Sequence, residues 1–320
     1  MAEELKLGPK AKSLLNAVSR FFDGDVQVQF IGNLKSGYVK HDQAQIMQDG
    51  KNLFVQINDV TEPDFTATHE LLHLLMTLRG FPQIYFPLTT GDDALDEQLR
   101  FIGTELFDVV AHFVVYSEQR KHGLINSKIA EEYIKGVRQT ITPETSKIDS
   151  EMIIRVVTLL DAMVFFGNEF AKHDAVFVQN FPIATKAAQR LYKIITEKPT
   201  DSPFALRRNV VKLFKAFDGQ MKGWELPELQ LTDFAMITSV FSQRQLGLKV
   251  SQVFKLYHSK LKDTKTLTPA YIGFASVDDQ DSFVISGPIN AQKAEKFIQN
   301  IYAKTVKELF DELKIPYLIR

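Results

Sequence analysis

One segment carries residues whose types and spacing could do chemistry: Thr66-Ala67-Thr68-His69-Glu70-Leu71-Leu72-His73-Leu74-Leu75. Residues four apart lie on one face of a helix, so His69 and His73 would point at the same spot. Two neutral imidazoles there can hold Zn²⁺ at about 2.0–2.1 Å. Glu70, next to the first histidine, could take a proton from a water without ligating the ion. The leucines at 71, 72, 74 and 75 suit a buried helix. The chain has no cysteine, so a thiolate site and a disulfide framework are excluded. Any metal must rest on His, Asp or Glu.

Such a site needs a third protein ligand. Positions 76 and 79 are Met and Arg, which excludes the extended H-E-x-x-H-x-x-G-x-x-H form. The helical periodicity from about Asp96 to Lys121 contains Glu105, Asp108 and His112, at i, i+3 and i+7. They form one polar stripe among Leu106, Phe107, Val109, Val110 and Phe113. Glu105 is the choice for third ligand, with Asp108 as the alternative. Asp108 could instead accept the free N–H of a ligating imidazole. His112 could stabilise the tetrahedral intermediate, or itself be the ligand.

The elements that position these residues are readable in outline. Alternation at Val26, Val28 and Phe30 predicts a strand, and Asn52 to Asn58 a second one, opened by the Asp49-Gly50 turn signal. An edge strand at 52 to 58 could pair with an extended substrate backbone. Apolar spacing predicts helices over 10–22, 64–79, 96–121, 127–140, 150–172, 183–198, 203–217, 231–242, 247–263 and 290–314. One hairpin is expected at 271–286, turning at Asp278-Asp279-Gln280-Asp281. The fold class is α+β. A small catalytic core over 1–149 would be followed by a mainly helical domain over 150–320.

The 320 residues are 45% hydrophobic and 24% charged, which excludes a mainly disordered chain. No apolar run approaches the ~18 residues of a membrane span. Met1-Ala2-Glu3-Glu4-Leu5-Lys6 is charged and shows no secretory signal, so a cytoplasmic setting is expected. The net charge is −1, but it is unevenly spread. Residues 186 to 265 hold 15 Lys and Arg against 7 Asp and Glu. Such a segment usually presents solvated helix faces. As a docking surface it would take an acidic partner or nucleic acid, with steep salt dependence.

The order strand, His-Glu-Leu-Leu-His helix, then a second helix with Glu105, resembles the zincin superfamily. Within it the chain is similar to the gluzincins, and most similar to the ImmA/IrrE-type metallopeptidases, over roughly residues 25 to 125. The resemblance implies a compact zincin-like α+β core and one zinc ion on His69, His73 and Glu105. It makes Glu70 the catalytic base and a protein such as a transcriptional repressor the substrate. Gly103-Thr104-Glu105-Leu106-Phe107-Asp108 also resembles the G-T-x-x-D signature of the aspzincins, which would make Asp108 the ligand. The expected function is a zinc metalloendopeptidase in which Glu70 activates a zinc-bound water. The alternative is a non-catalytic interaction protein that uses the basic helical segment.

Overall fold

The computed structural model describes residues 6–145, 147–288 and 290–320. The fold is mixed α+β, 54% helical and 20% strand, with several small sheets. The chain opens with α1 (Pro9–Ser19), β1 (Asp25–Leu34), β2 (Ala44–Asp49), β3 (Asn52–Asp59) and α2 (Pro63–Leu78). Two short strands follow, β4 (Ile84–Tyr85) and β5 (Leu88–Thr89), then α3 (Asp93–Lys121), α4 (Ser127–Thr140), α5 (Met152–Phe166), α6 (Asp174–Asn180) and α7 (Pro182–Thr196). The rest comprises α8 (Pro203–Gly223), α9 (Leu231–Phe234), β6 (Met236–Ile237), β7 (Ser239–Phe241), α10 (Gln243–Leu246), α11 (Val250–Val253), β8 (Phe254–Asp263), β9 (Pro269–Ala275), β10 (Asp281–Ser286), α12 (Ala291–Ala303), α13 (Val306–Leu313) and β11 (Tyr317–Ile319).

Contacts divide the chain differently from the linear boundary expected at 149/150. One compact unit takes the chain up to Gly80 together with Ala111–Tyr192, and the other takes Phe81–Val110 together with Lys193–Arg320. The reason lies in α3 and α5. The long helix α3 carries the chain across the division. Twelve of the fifteen residues of α5 are buried, ten of them apolar, so it cannot stand in a separate layer and packs with α4 in the first unit.

In the first unit, β1 pairs parallel and β2 antiparallel with β3. The strand at 52–59 is therefore central, not the edge strand anticipated for substrate pairing. The Asp49-Gly50 turn explains this: Gly50 sits at φ 58, which lets β2 fold straight back along β3. Leu53, Val55 and Ile57 are buried as their alternation predicts, and Ile57 packs with Leu7, Ala11 and Ala67.

Helix α4 packs tightly on the segment before the 3₁₀ turn His41–Gln43. A Cβ on Gly136 would stand 2.0 Å from the Val39 carbonyl oxygen, and Val39 N–H donates to Glu132 O at 3.3 Å. Gly136→Ala is expected to destabilise the protein by about 1–3 kcal/mol, read as a lowered denaturant midpoint.

The second unit holds more strand than the sequence pattern predicts. Its main sheet has the order β10-β9-β8-β5, and β7 pairs parallel with β11. The expected hairpin is present as β9 and β10. Residues 247–263, expected as helix, instead end in the ten-residue strand β8. A register shift between His258 and Lys262 breaks the in-out alternation, so the period of two is hidden in the sequence. Likewise 231–242 is a short helix followed by two short strands, and 290–314 is two helices with a break before the Thr305 cap. The core packs Phe241 on Phe310 and Phe254 on Phe283, both with centroids 5.1 Å apart and near edge-to-face.

Asp281, on β10, is fully buried, and neither carboxylate oxygen has a hydrogen-bond partner. Burial pushes its pKa well above the usual carboxylate value. The Phe283 N–H, outside hydrogen-bonding geometry, and Arg207 oppose this, while Asp233 adds to it. A raised folded-state pKa favours the folded state at low pH, and that contribution is lost as pH climbs above the unfolded value of about 3.9. Asp281→Asn should therefore match the wild type near pH 3 and exceed its stability at pH 7 by about 1–3 kcal/mol. Equal pH dependence of the two melting curves would contradict this.

Candidate metal centre

His69 and His73 stand on α2, which begins with Pro63 and buries Phe65, Ala67, Thr68, His69, Leu71, Leu72 and Leu75. Pro is pre-set for a first helical turn, and the apolar run supplies the inward face. Gln119, on α3, ties this helix down. Its Nε2 donates to Phe65 O at 2.9 Å and to Thr68 Oγ1 at 3.0 Å. His112, Tyr116 and Gln119 lie at i, i+4 and i+7, so one face of α3 meets α2.

His41 comes from the 3₁₀ turn His41–Gln43. Gln43 holds that turn, accepting from Lys40 N–H at 2.9 Å and donating to Tyr38 O at 2.8 Å. The four imidazoles form one cluster. Ring centroids are 4.9 Å apart for His69 and His73, 4.8 Å for His69 and His112, and 4.7 Å for His41 and His112.

Asp161, on α5, anchors the cluster. Its Oδ1 lies 2.5 Å from His112 Nδ1. Its Oδ2 accepts from Tyr133 OH at 2.5 Å and Tyr116 OH at 2.9 Å, and lies 2.9 Å from His41 Nε2. Burial opposes the charge on Asp161, but His112 and His41 outweigh it and hold the carboxyl well below the usual range. An ionised carboxylate only accepts, so the His112 proton belongs on Nδ1. That leaves a lone pair on His112 Nε2, which faces His73 Nε2 at 3.2 Å.

Burial holds the pKa values of His69 and His73 well below the ordinary imidazole value, and the neighbouring histidines add to the effect. Burial also lowers that of His112, against the pull of Asp161. All three are therefore neutral near pH 7, the form that binds metal. His69 Nδ1 is buried without a hydrogen-bond partner. His41, His69 and His112 each offer one ligand atom, all within 4.8 Å of one another. Two nitrogens on one tetrahedral zinc would stand roughly 3.3 Å apart, close to the 3.2 Å between His112 and His73. An all-imidazole donor set suits zinc, with copper, nickel and iron as chemically related choices. The residues present thus fit a transition-metal ion.

Glu70 is half-buried, and burial pushes its carboxyl up to about 7 against the opposing effect of His41. Glu105 and Asp108 lie on α3, seven and four residues before His112; both are half-buried and both have interaction partners. The group of closely spaced ligand atoms, His41, His69 and His112, contains neither; His73 is also outside it and joins the cluster through His112 Nε2 at 3.2 Å. The carboxylate on the His112 N–H is Asp161 rather than a member of the α3 stripe.

Sequence reasoning missed His41, Asp161, Tyr116 and Tyr133. Asp161 had a signal: it is the only carboxylate within the apolar run from Ile153 to Phe166, where an unpaired charge is costly. Tyr116 follows His112 by one helical turn. His41 lies in a turn and had no periodic signal. Asp161→Asn is expected to weaken zinc binding ~10–100-fold, because it frees the His112 ring to turn. Equilibrium dialysis against a zinc buffer would measure this, and an unchanged affinity would remove Asp161 from the site.

No protein-family model, no curated protein and no solved structure matches this chain.

Proposed function

We propose that this chain is a zinc-dependent endopeptidase built on the His69-Glu70-Leu71-Leu72-His73 motif. The observation that carries the reading is the convergence of His69, His73 and His112, with the His112 lone pair directed by Asp161 at His73 Nε2, 3.2 Å away. In this reading His69 and His73 are two ligands and His112 is the third. Glu105, chosen from spacing and from the gluzincin resemblance, is the alternative third ligand. His41 is the imidazole of the cluster most open to solvent, and its ligand atom lies within 4.8 Å of those of His69 and His112, so it stands ready as a further ligand.

Zinc bound there supplies a Lewis acid for a scissile carbonyl and lowers the pKa of a water towards neutrality. The residues do the rest. Glu70 accepts a proton in its carboxylate form and returns it to the leaving amine. A carboxyl near 7 suits both transfers at neutral pH. Asp161 keeps the His112 proton on Nδ1, so that Nε2 stays a donor of its lone pair. The substrate class is a protein or peptide, and the family resemblance points to a transcriptional repressor as one instance.

The test is reconstitution. Metal-free protein is incubated with an unfolded protein substrate, with and without one equivalent of zinc. Cleavage should need zinc, stop with chelator and return when zinc is restored. Absence of cleavage across a broad peptide library would overturn the peptidase reading while leaving the metal site standing.

A further inference from the structure

The second unit contains a cavity of about 410 Å³ that the peptidase reading does not use. One wall is the face of α8 that carries Phe204, Arg207, Arg208, Val211, Lys212 and Lys215. These sit at i, i+3, i+4, i+7, i+8 and i+11, a single helical stripe. The other walls come from β7, from the β9–β10 turn and from Arg320 beyond β11. Most of the lining is apolar, with Val240, Phe241, Val253 and Ala275 opposite the helix.

The charge around this cavity is one-sided. Five cationic side chains line it against one acid, Asp278. Three of the five have carboxylate partners: Arg207 with Asp278, Lys212 with Glu197 at 2.8 Å, and Lys215 loosely with Asp279 at 3.8 Å. Arg208 donates only to Pro199 O at 2.8 Å and to Asn209 Oδ1 at 3.2 Å. The Arg320 guanidinium lies over the Phe204 ring, 4.1 Å from its centroid. Among the described residues neither Arg208 nor Arg320 meets a carboxylate side chain. Two further polar groups of lining residues, Arg207 Nε and Ser239 Oγ, are buried without partners.

An apolar cavity of this size with unneutralised guanidinium groups is a small-molecule site rather than a track for a polymer. A polyanion would need an extended cationic stripe and would leave the apolar lining unused. We propose that this cavity binds a small organic anion that joins one carboxylate or phosphate to an apolar body. The anionic group pairs with Arg208 and Arg320, the two guanidinium groups that meet no carboxylate side chain, and the apolar part lies between Val211 and the Phe241 side of the cavity. This gives the basic 186–265 segment a ligand of its own, independent of the histidine cluster.

The probe is decanoate, titrated calorimetrically into the full-length protein, with decyltrimethylammonium, inorganic phosphate and a short single-stranded oligonucleotide as comparisons. One decanoate per chain is expected, with binding of the cationic analogue and of phosphate at least 10-fold weaker. The double variant Arg208→Gln/Arg320→Gln should lose at least 10-fold for decanoate. The comparison of decanoate with its cationic analogue needs no variant, so it decides the matter even if that variant folds poorly. Equal binding of the two amphiphiles would show an apolar patch without anion selection, and overturn the proposal. Tighter binding of phosphate or oligonucleotide than of decanoate would overturn it in favour of a polyanion surface. No binding of any probe would also overturn it.

Discussion

Glu70→Gln is expected to abolish zinc-dependent peptide hydrolysis while leaving zinc content and melting temperature close to those of the wild type. The amide is nearly isosteric with the carboxylate, so α2 and both flanking histidines keep their places. It cannot accept a proton, and positioned proton transfer contributes about 10²–10⁴-fold to such reactions. The half-buried position of Glu70 beside His69 leaves no neighbouring carboxylate on α2 to substitute for it. Initial rates of cleavage for zinc-loaded wild type and variant would measure the effect. A variant that cleaves at the wild-type rate would remove Glu70 from the mechanism.

The second large effect decides the third ligand. Apparent zinc-binding free energies of ~10–16 kcal/mol are shared over three or four ligands, so losing one should cost on the order of 100-fold or more in affinity. His112→Ala is expected to show that loss, because its Nε2 faces His73 at 3.2 Å and its tautomer is set by Asp161. Glu105→Ala should bind zinc nearly as tightly as the wild type. Competition with a chromophoric chelator reads both. If Glu105→Ala loses the metal and His112→Ala keeps it, the gluzincin ligand set is restored.

The parts of the site that were legible in the sequence are those with helical periodicity. His69 and His73 announce themselves because one turn of helix brings i and i+4 together. The polar stripe on α3 was legible for the same reason, and the interval from His112 to Tyr116 belongs to it. His41 and Asp161 come from a 3₁₀ turn and from a helix 120 residues later. Only tertiary packing joins them to α2, so spacing along the chain carried no information about their meeting. Asp161 could still have been singled out as a lone carboxylate in an apolar helix.

The fold shows the same contrast. Asp49-Gly50 announced the start of β3, yet β2 before it was not legible, because its residues from Gln45 to Asp49 are exposed and show no clean alternation. Across α11 and β8 the apolar positions Val250, Val253, Phe254, Tyr257 and Leu261 fit one continuous helix. Pairing with β9 decides for strand, and the register shift after His258 conceals the period. The division into units was out of reach of linear reasoning, since each unit is assembled from two separated stretches.

The central claim is that α2, the His112 face of α3 and Asp161 together build a metal site. The most direct measurement is the metal content of protein purified without chelator, or stripped and reloaded with zinc, by mass spectrometry of the metal against protein concentration. The account predicts about one tightly held zinc per chain in the wild type, and none above background in His69→Ala or His73→Ala variants that still fold. Wild-type protein that stays metal-free after zinc loading, or variants that keep a full equivalent, would contradict it.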